Sequence, residues 1–171
     1  MTKTRVLALL GICLALGTAC SKAGTGDTSV EATFSEVCTT IAGADAYELA
    51  TCKVIPETID RFVTDPDQRR GAYALSTART LYQSHPGSRG ELWRLLVDRF
   101  GVDESLFDRK THGIARGQLN EVIEAMYQGA GIDYGGDRRA FQKAIETQLT
   151  SPAAQAFIEE RSKLYMQTGT G

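Results

Sequence analysis

Ser88-Arg89-Gly90-Glu91-Leu92-Trp93-Arg94-Leu95-Leu96-Val97-Asp98-Arg99-Phe100-Gly101 is the stretch on which the fold class turns. Its first four residues have the form of a capping box: Ser followed three positions later by Glu, a pairing that satisfies two orphan backbone donors at a helix start. Leu92, Trp93, Leu95, Leu96, Val97 and Phe100 follow before Gly101. They cover most sides of a helix, and a helix without a clear polar face belongs in a core. The spacing therefore predicts a central helix that stops at Gly101.

The neighbouring segments repeat the helical period in both directions. Upstream, Asp65-Pro66 is a start signal, because Pro at a first helical position lacks only an N–H that would have no partner there. The helix it opens runs to about Ser84, presents Leu75, Ala78 and Tyr82, and is ended by His85-Pro86-Gly87. Pro56 reads in the same way as the opening of a helix with Ile59, Phe62 and Val63. A short helix with Tyr47, Leu49 and Cys52 precedes it, after Gly43. Phe34, Val37, Cys38 and Ile41 fall at i, i+3, i+4 and i+7, one stripe of a further short helix.

Downstream, Leu119, Val122, Ile123, Met126 and Tyr127 form a stripe that stops at Gly129. A loop through Gly131, Gly135 and Gly136 leads to Asp137, an N-cap for a helix carrying Phe141, Ala144, Ile145 and Leu149. Ser151-Pro152 starts the last helix, with Phe157, Ile158, Leu164 and Tyr165. No stretch alternates with period two for long enough to make a strand, and no internal repeat is found. The expectation is an all-α, compact, bundle-like domain of roughly six to eight helices.

With 171 residues, 42% of them hydrophobic and 23% charged, the chain has the size and composition of one globular domain. A net charge of -2 with no basic run gives no electrostatic footprint for nucleic acid. Arg69-Arg70 and Arg138-Arg139 are isolated pairs of the kind found on solvated helix faces.

The N-terminus carries a different signal. Lys3 and Arg5 make a short basic region, and Val6 to Leu16 follows without a charge. That stretch is too short to span a bilayer, which takes roughly 20 apolar residues, but it suits the apolar region of a secretory signal. It ends in Leu16-Gly17-Thr18-Ala19-Cys20, which resembles the lipobox of bacterial lipoproteins, with Leu16 four residues before the Cys where the family usually has Leu at three. The resemblance implies lipidation of the Cys20 thiol, cleavage before it and N-acylation. An ordinary signal peptide cut at Thr18-Ala19, or an uncleaved anchor, is the alternative. Residues 21–29 are polar and rich in Gly, Ser and Thr, as a flexible tether would be. Ser21 stands where Asp signals inner-membrane retention in the lipoproteins this resembles, which points to the outer membrane. The expected organisation is a signal peptide over 1–19, a lipidated tether over 20–30 and a single helical domain over 31–171.

Of the four cysteines, Cys13 leaves with the signal peptide and Cys20 is lipidated, which leaves Cys38 and Cys52. Two thiols in an oxidising compartment point to a structural disulfide. A metal site would need two further ligands, and His85 and His112 lie in separate loops without ligand spacing. There is no C-x-x-C redox pair. No metal or other cofactor is expected.

Catalytic motifs are few: H-E-x-x-H, G-x-S-x-G and the phosphate-binding loop are all missing. His112 could serve as a general base, though a lone loop histidine is most often only solvated. Glu104-Ser105-Leu106-Phe107 resembles the Glu-Ser-x-Phe phrase of lysozyme-like lytic transglycosylases. The resemblance would make Glu104 a general acid in an apolar cleft, but the Gly-Leu-Met-Gln phrase that follows in that family is missing. The other reading is that Asp103 caps a short helix while Leu106 and Phe107 pack inward. Cys38, Glu48, Cys52 and Asp60 follow the order of LprI-type lysozyme-inhibitor proteins, a resemblance that implies a periplasmic inhibitor. With no reactive cluster, the expectation is a non-enzymatic lipoprotein. Held to the membrane by its lipid, it would bind another envelope protein as an accessory or assembly factor, with lysozyme inhibition or Glu104-dependent peptidoglycan cleavage as alternatives.

Overall fold

Five helices begin where a short polar side chain accepts a hydrogen bond from a backbone N–H three residues on. The pairs are Ser29 with Ala32 (3.1 Å), Asp45 with Glu48 (2.9 Å), Asp65 with Gln68 (2.8 Å), Asp137 with Ala140 (3.0 Å) and Ser151 with Ala154 (3.3 Å). Such caps satisfy donors that the first helical turn leaves open. The structure is a computed structural model and describes residues 29–168. The expected signal peptide, Cys20 and the expected tether up to Thr28 lie outside the described residues. Ser29 and Val30, counted with the tether from sequence, are the cap and first residue of a helix.

The described residues form an all-α domain of eight helices: α1 (Val30–Ala42), α2 (Ala46–Phe62), α3 (Pro66–Gln83), α4 (Pro86–Arg89), α5 (Trp93–Phe100), α6 (Leu119–Gly129), α7 (Arg138–Leu149) and α8 (Pro152–Thr168). A single 3₁₀ turn at Glu104–Leu106 and a minimal antiparallel pair, β1 (Phe107–Asp108) with β2 (Gly113–Ile114), link α5 to α6. Phe107 faces Ile114 across this pair. The sequence shows no strand here because two residues a side are too few to display a period.

The centre of the domain is α3, not α5. It packs against α1, α2, α6 and α7, and Gly71 to Leu75, Thr77, Ala78 and Leu81 are all buried. Its small residues let neighbours approach closely: a Cβ at Gly71 would stand 2.5 Å from the Phe141 ring of α7. On the α1 side, the ring of Tyr73 meets Phe34 edge-on at 5.9 Å between centroids. Burial is not read from side-chain size alone, which is why the Trp93 stretch misleads. α5 is only eight residues long and buries just Trp93, Leu96 and Phe100. Its Arg94 and Asp98 are exposed. In α3, Leu81 is buried in place of Tyr82, which is 41% exposed.

Two start signals also resolve differently. Pro86 opens its own one-turn helix, α4, which Gly90 ends at φ 47°. Ser88 is used up inside that turn, so the capping box does not form, and Glu91 pairs with Arg94 instead (3.1 Å). Pro56 starts nothing: α2 runs through it from Ala46 to Phe62. A helix-interior proline removes one i→i−4 bond, here to the Cys52 carbonyl. Tertiary ties on both sides of that point hold the helix, the disulfide at Cys52 and the packing of α8.

Candidate functional site

The Cys38–Cys52 disulfide joins α1 to α2, with the two Cα atoms 5.7 Å apart. Cys38 is buried on the stripe that also holds Phe34 and Val37. The far half of α2 is tied to α8 instead. Arg161 donates from Nε (2.6 Å) and Nη2 (2.9 Å) to the Glu57 carboxylate, which also accepts from the Tyr165 hydroxyl. The Arg161 hydrogen bonds hold the Glu57 carboxyl below its ordinary pKa range. The Phe157 ring meets Phe62 edge-on at 5.7 Å and lies under the Arg61 guanidinium.

Between these two ties α2 forms one wall of an apolar groove of 280 Å³. Val54, Ile55 and Ile59 of α2, Leu149 of α7 and Ile158 of α8 are its apolar lining, and Tyr47, 64% exposed, also borders it. Tyr47, Thr51, Val54, Ile55 and Thr58 recur at helical spacing on one side of α2. The hydroxyls of Thr51 and Thr58 donate back to the Tyr47 (3.0 Å) and Val54 (2.7 Å) carbonyls. Both hydroxyls are thus occupied within the helix, and the wall they share stays apolar.

The residues with sequence-level catalytic readings do not gather at this groove. Glu104 opens the 3₁₀ turn, is 52% exposed and pairs with Arg109 at 3.0 Å. Asp103 caps that turn by accepting from the Ser105 N–H (2.8 Å), which holds its carboxyl below the ordinary range. Phe107 packs inward, stacked on Trp93 at 5.1 Å. His112 is exposed in the β1–β2 turn at φ 51°, and His85 is exposed at the start of α4. Glu48 is exposed and borders a separate concavity that Cys38 and His85 also line. Asp60 accepts from the buried Tyr73 hydroxyl (3.1 Å), whose pKa is raised chiefly by burial.

Among the described residues no group of three His, Cys, Asp or Glu side chains could hold a metal ion. No described helix is long and apolar enough to cross a membrane. One arginine of each pair is engaged by another part of the fold: Arg70 with the Ala130 and Gly131 carbonyls, Arg138 with Asn120 and Glu124.

Sequence reasoning missed the groove. Its signal was present in the spacing of Tyr47, Thr51, Val54, Ile55 and Thr58, but a helix start placed at Pro56 cut that stripe in two. The Glu57–Arg161 tie spans 104 positions and leaves no local mark. No family model, curated protein or solved structure matches the chain.

Proposed function

We propose that this protein is a lipoprotein of the bacterial envelope, lipidated at Cys20 and facing the periplasm from the outer membrane. Its helical domain binds another envelope protein and catalyses no reaction. The observation that supports the binding role is the apolar groove beside α2, with Tyr47 exposed at its border. At 280 Å³ it falls just short of a typical small-molecule pocket and suits one or two large apolar side chains of a partner. The placement of Glu104 on the surface, opposite Arg109, supports a local structural role for that residue. Anchoring rests on the Leu16 to Cys20 segment and the polar residues after it.

The test is a photo-crosslinking residue at Tyr47, compared with one at Arg109, in cells carrying the native envelope. A discrete adduct from Tyr47 alone, suppressed by Ile55→Arg, is the expected result. Equal or absent adducts from both positions contradict the groove as the binding face. Cys20→Ser should release the domain from membranes or leave a precursor, and wild-type protein without acyl chains refutes the anchor. A second reading, lysozyme inhibition, is favoured by the Cys38–Cys52 bond that the LprI-type order implies. Purified protein that leaves lysozyme activity unchanged removes it.

A further inference from the structure

Arg89 is the last residue of α4 and is only 7% exposed. No carboxylate among the described residues lies within ion-pair distance of its guanidinium. Its Nε is buried with no hydrogen-bond partner. Other arginines that leave solvent are answered, Arg99 by Glu36 and Arg161 by Glu57. Burying a charge without a partner is among the costliest things a fold can do.

The room it occupies is made by the backbone. A Cβ at Gly113 in β2 would stand 2.2 Å from Arg89 Nη1 and 2.7 Å from Cζ. Arg89 also lines a concavity of about 470 Å³ between α1, α4 and the start of α5, with Thr40, Ser88, Leu92 and Leu95 around it. Two carboxylates border the same space. Glu36 is held by Arg99 at 2.5 Å and Glu91 by Arg94 at 3.1 Å, so each is already neutralised. Arg89 is the one charged residue lining the concavity that has no ion-pair partner among the described residues.

We propose that this concavity is a binding site for a peptide carboxylate, either a chain terminus or an acidic side chain, held by the Arg89 guanidinium. The planar fork of a guanidinium matches the two oxygens of a carboxylate. The Ser88 and Thr40 hydroxyls can share the remaining lone pairs, and Leu92 and Leu95 can meet the apolar part of the ligand. A phosphate, with up to two charges, would face Glu36 and Glu91 with a single arginine in excess, so the single charge of a carboxylate fits better. The site uses neither the α2 groove nor its residues, so it stands apart from the function proposed above.

The test is an NMR titration of the arginine Nε–Hε resonances in full-length protein. N-acetylglycine supplies a terminal carboxylate, the α-amide of N-acetylglutamic acid a side-chain carboxylate, and N-acetylglycinamide the uncharged control. A saturable shift of the Arg89 resonance with either acid, lost with the amide, is expected, and the tighter acid assigns the source. No saturable shift with either acid overturns the proposal, as does tighter binding of inorganic phosphate than of both acids. Arg89→Met, similar in length and uncharged, should fold with an unchanged or higher Tm. It should lose the rise in Tm that N-acetylglycine gives the wild type at constant ionic strength, while Arg109→Met keeps it. An Arg89→Met protein that retains this response refutes the site, and if that variant does not fold the wild-type titration decides.

Discussion

Reducing the Cys38–Cys52 bond should loosen the first half of α2 before the rest of the domain. The bond closes a loop with a sequence separation of 14. Cross-linking a loop of about 15 residues stabilises by roughly 3 kcal/mol in the chain-entropy model. That is a large share of the 5–15 kcal/mol typical of a domain, and it corresponds to a Tm lower by about 6–12 °C for a chain of this size. The effect is concentrated because the two halves of α2 are held differently. Residues 46–55 have the bond to α1 beside the hydrogen bond that Pro56 removes, whereas Glu57 onward is gripped by Arg161 and Tyr165 of α8. Hydrogen exchange on oxidised and reduced protein separates them. Amides of residues 46–55 should exchange faster on reduction, while those of α3 and α6 change only by the global loss of stability. Cys52→Ala should reproduce the pattern without reductant. Free, alkylatable thiols at Cys38 and Cys52 in protein purified without reductant, or a Tm indifferent to reductant, would refute the reasoning.

Gly129→Ala should lower Tm by roughly 3–8 °C, because the new Cβ would stand 1.9 Å from the Phe100 carbonyl oxygen, which is backbone and cannot rotate away. The better helix propensity of Ala offsets at most about 1 kcal/mol of that. Gly87→Ala, with open space around its Cβ, is the neutral control, and equal melting of the two variants contradicts the close α5–α6 contact. Glu57 has its pKa lowered in the folded protein, mainly by the Arg161 hydrogen bonds. Its contribution is therefore complete above the unfolded carboxylate pKa and lost as pH falls through the lower folded value. Glu57→Gln should cost about 1–3 °C at pH 7, and less than that at pH 3, in paired melting curves. An equal loss at both pH values contradicts the assignment. Glu104→Gln should leave the protein unchanged in muropeptide release from isolated peptidoglycan, and release that needs Glu104 restores the transglycosylase reading.

The sequence by itself determined the fold class, because helical periodicity, the Asp65 and Asp137 caps and the Gly-rich breaks are all encoded within a few residues of one another. It also paired Cys38 with Cys52, on the expectation that Cys13 leaves with a signal peptide and Cys20 is lipidated, and the two are bonded in the structure. Tertiary structure decided which helix is central. Small residues at Gly71, Ala72, Ala74 and Ala78 admit four neighbours to α3, and that advantage exists only once the neighbours arrive. It decided that α2 passes through Pro56, where local propensity argues for a break and distant contacts outweigh it. The groove beside α2 needs residues from α2, α3, α7 and α8, up to 115 positions apart (Tyr47 to Ser162). The unanswered charge of Arg89 belongs to the same class of fact. In the sequence Arg89 is one residue of a capping pattern, and only the fold shows that it is buried against Gly113 with no carboxylate among the described residues to meet it.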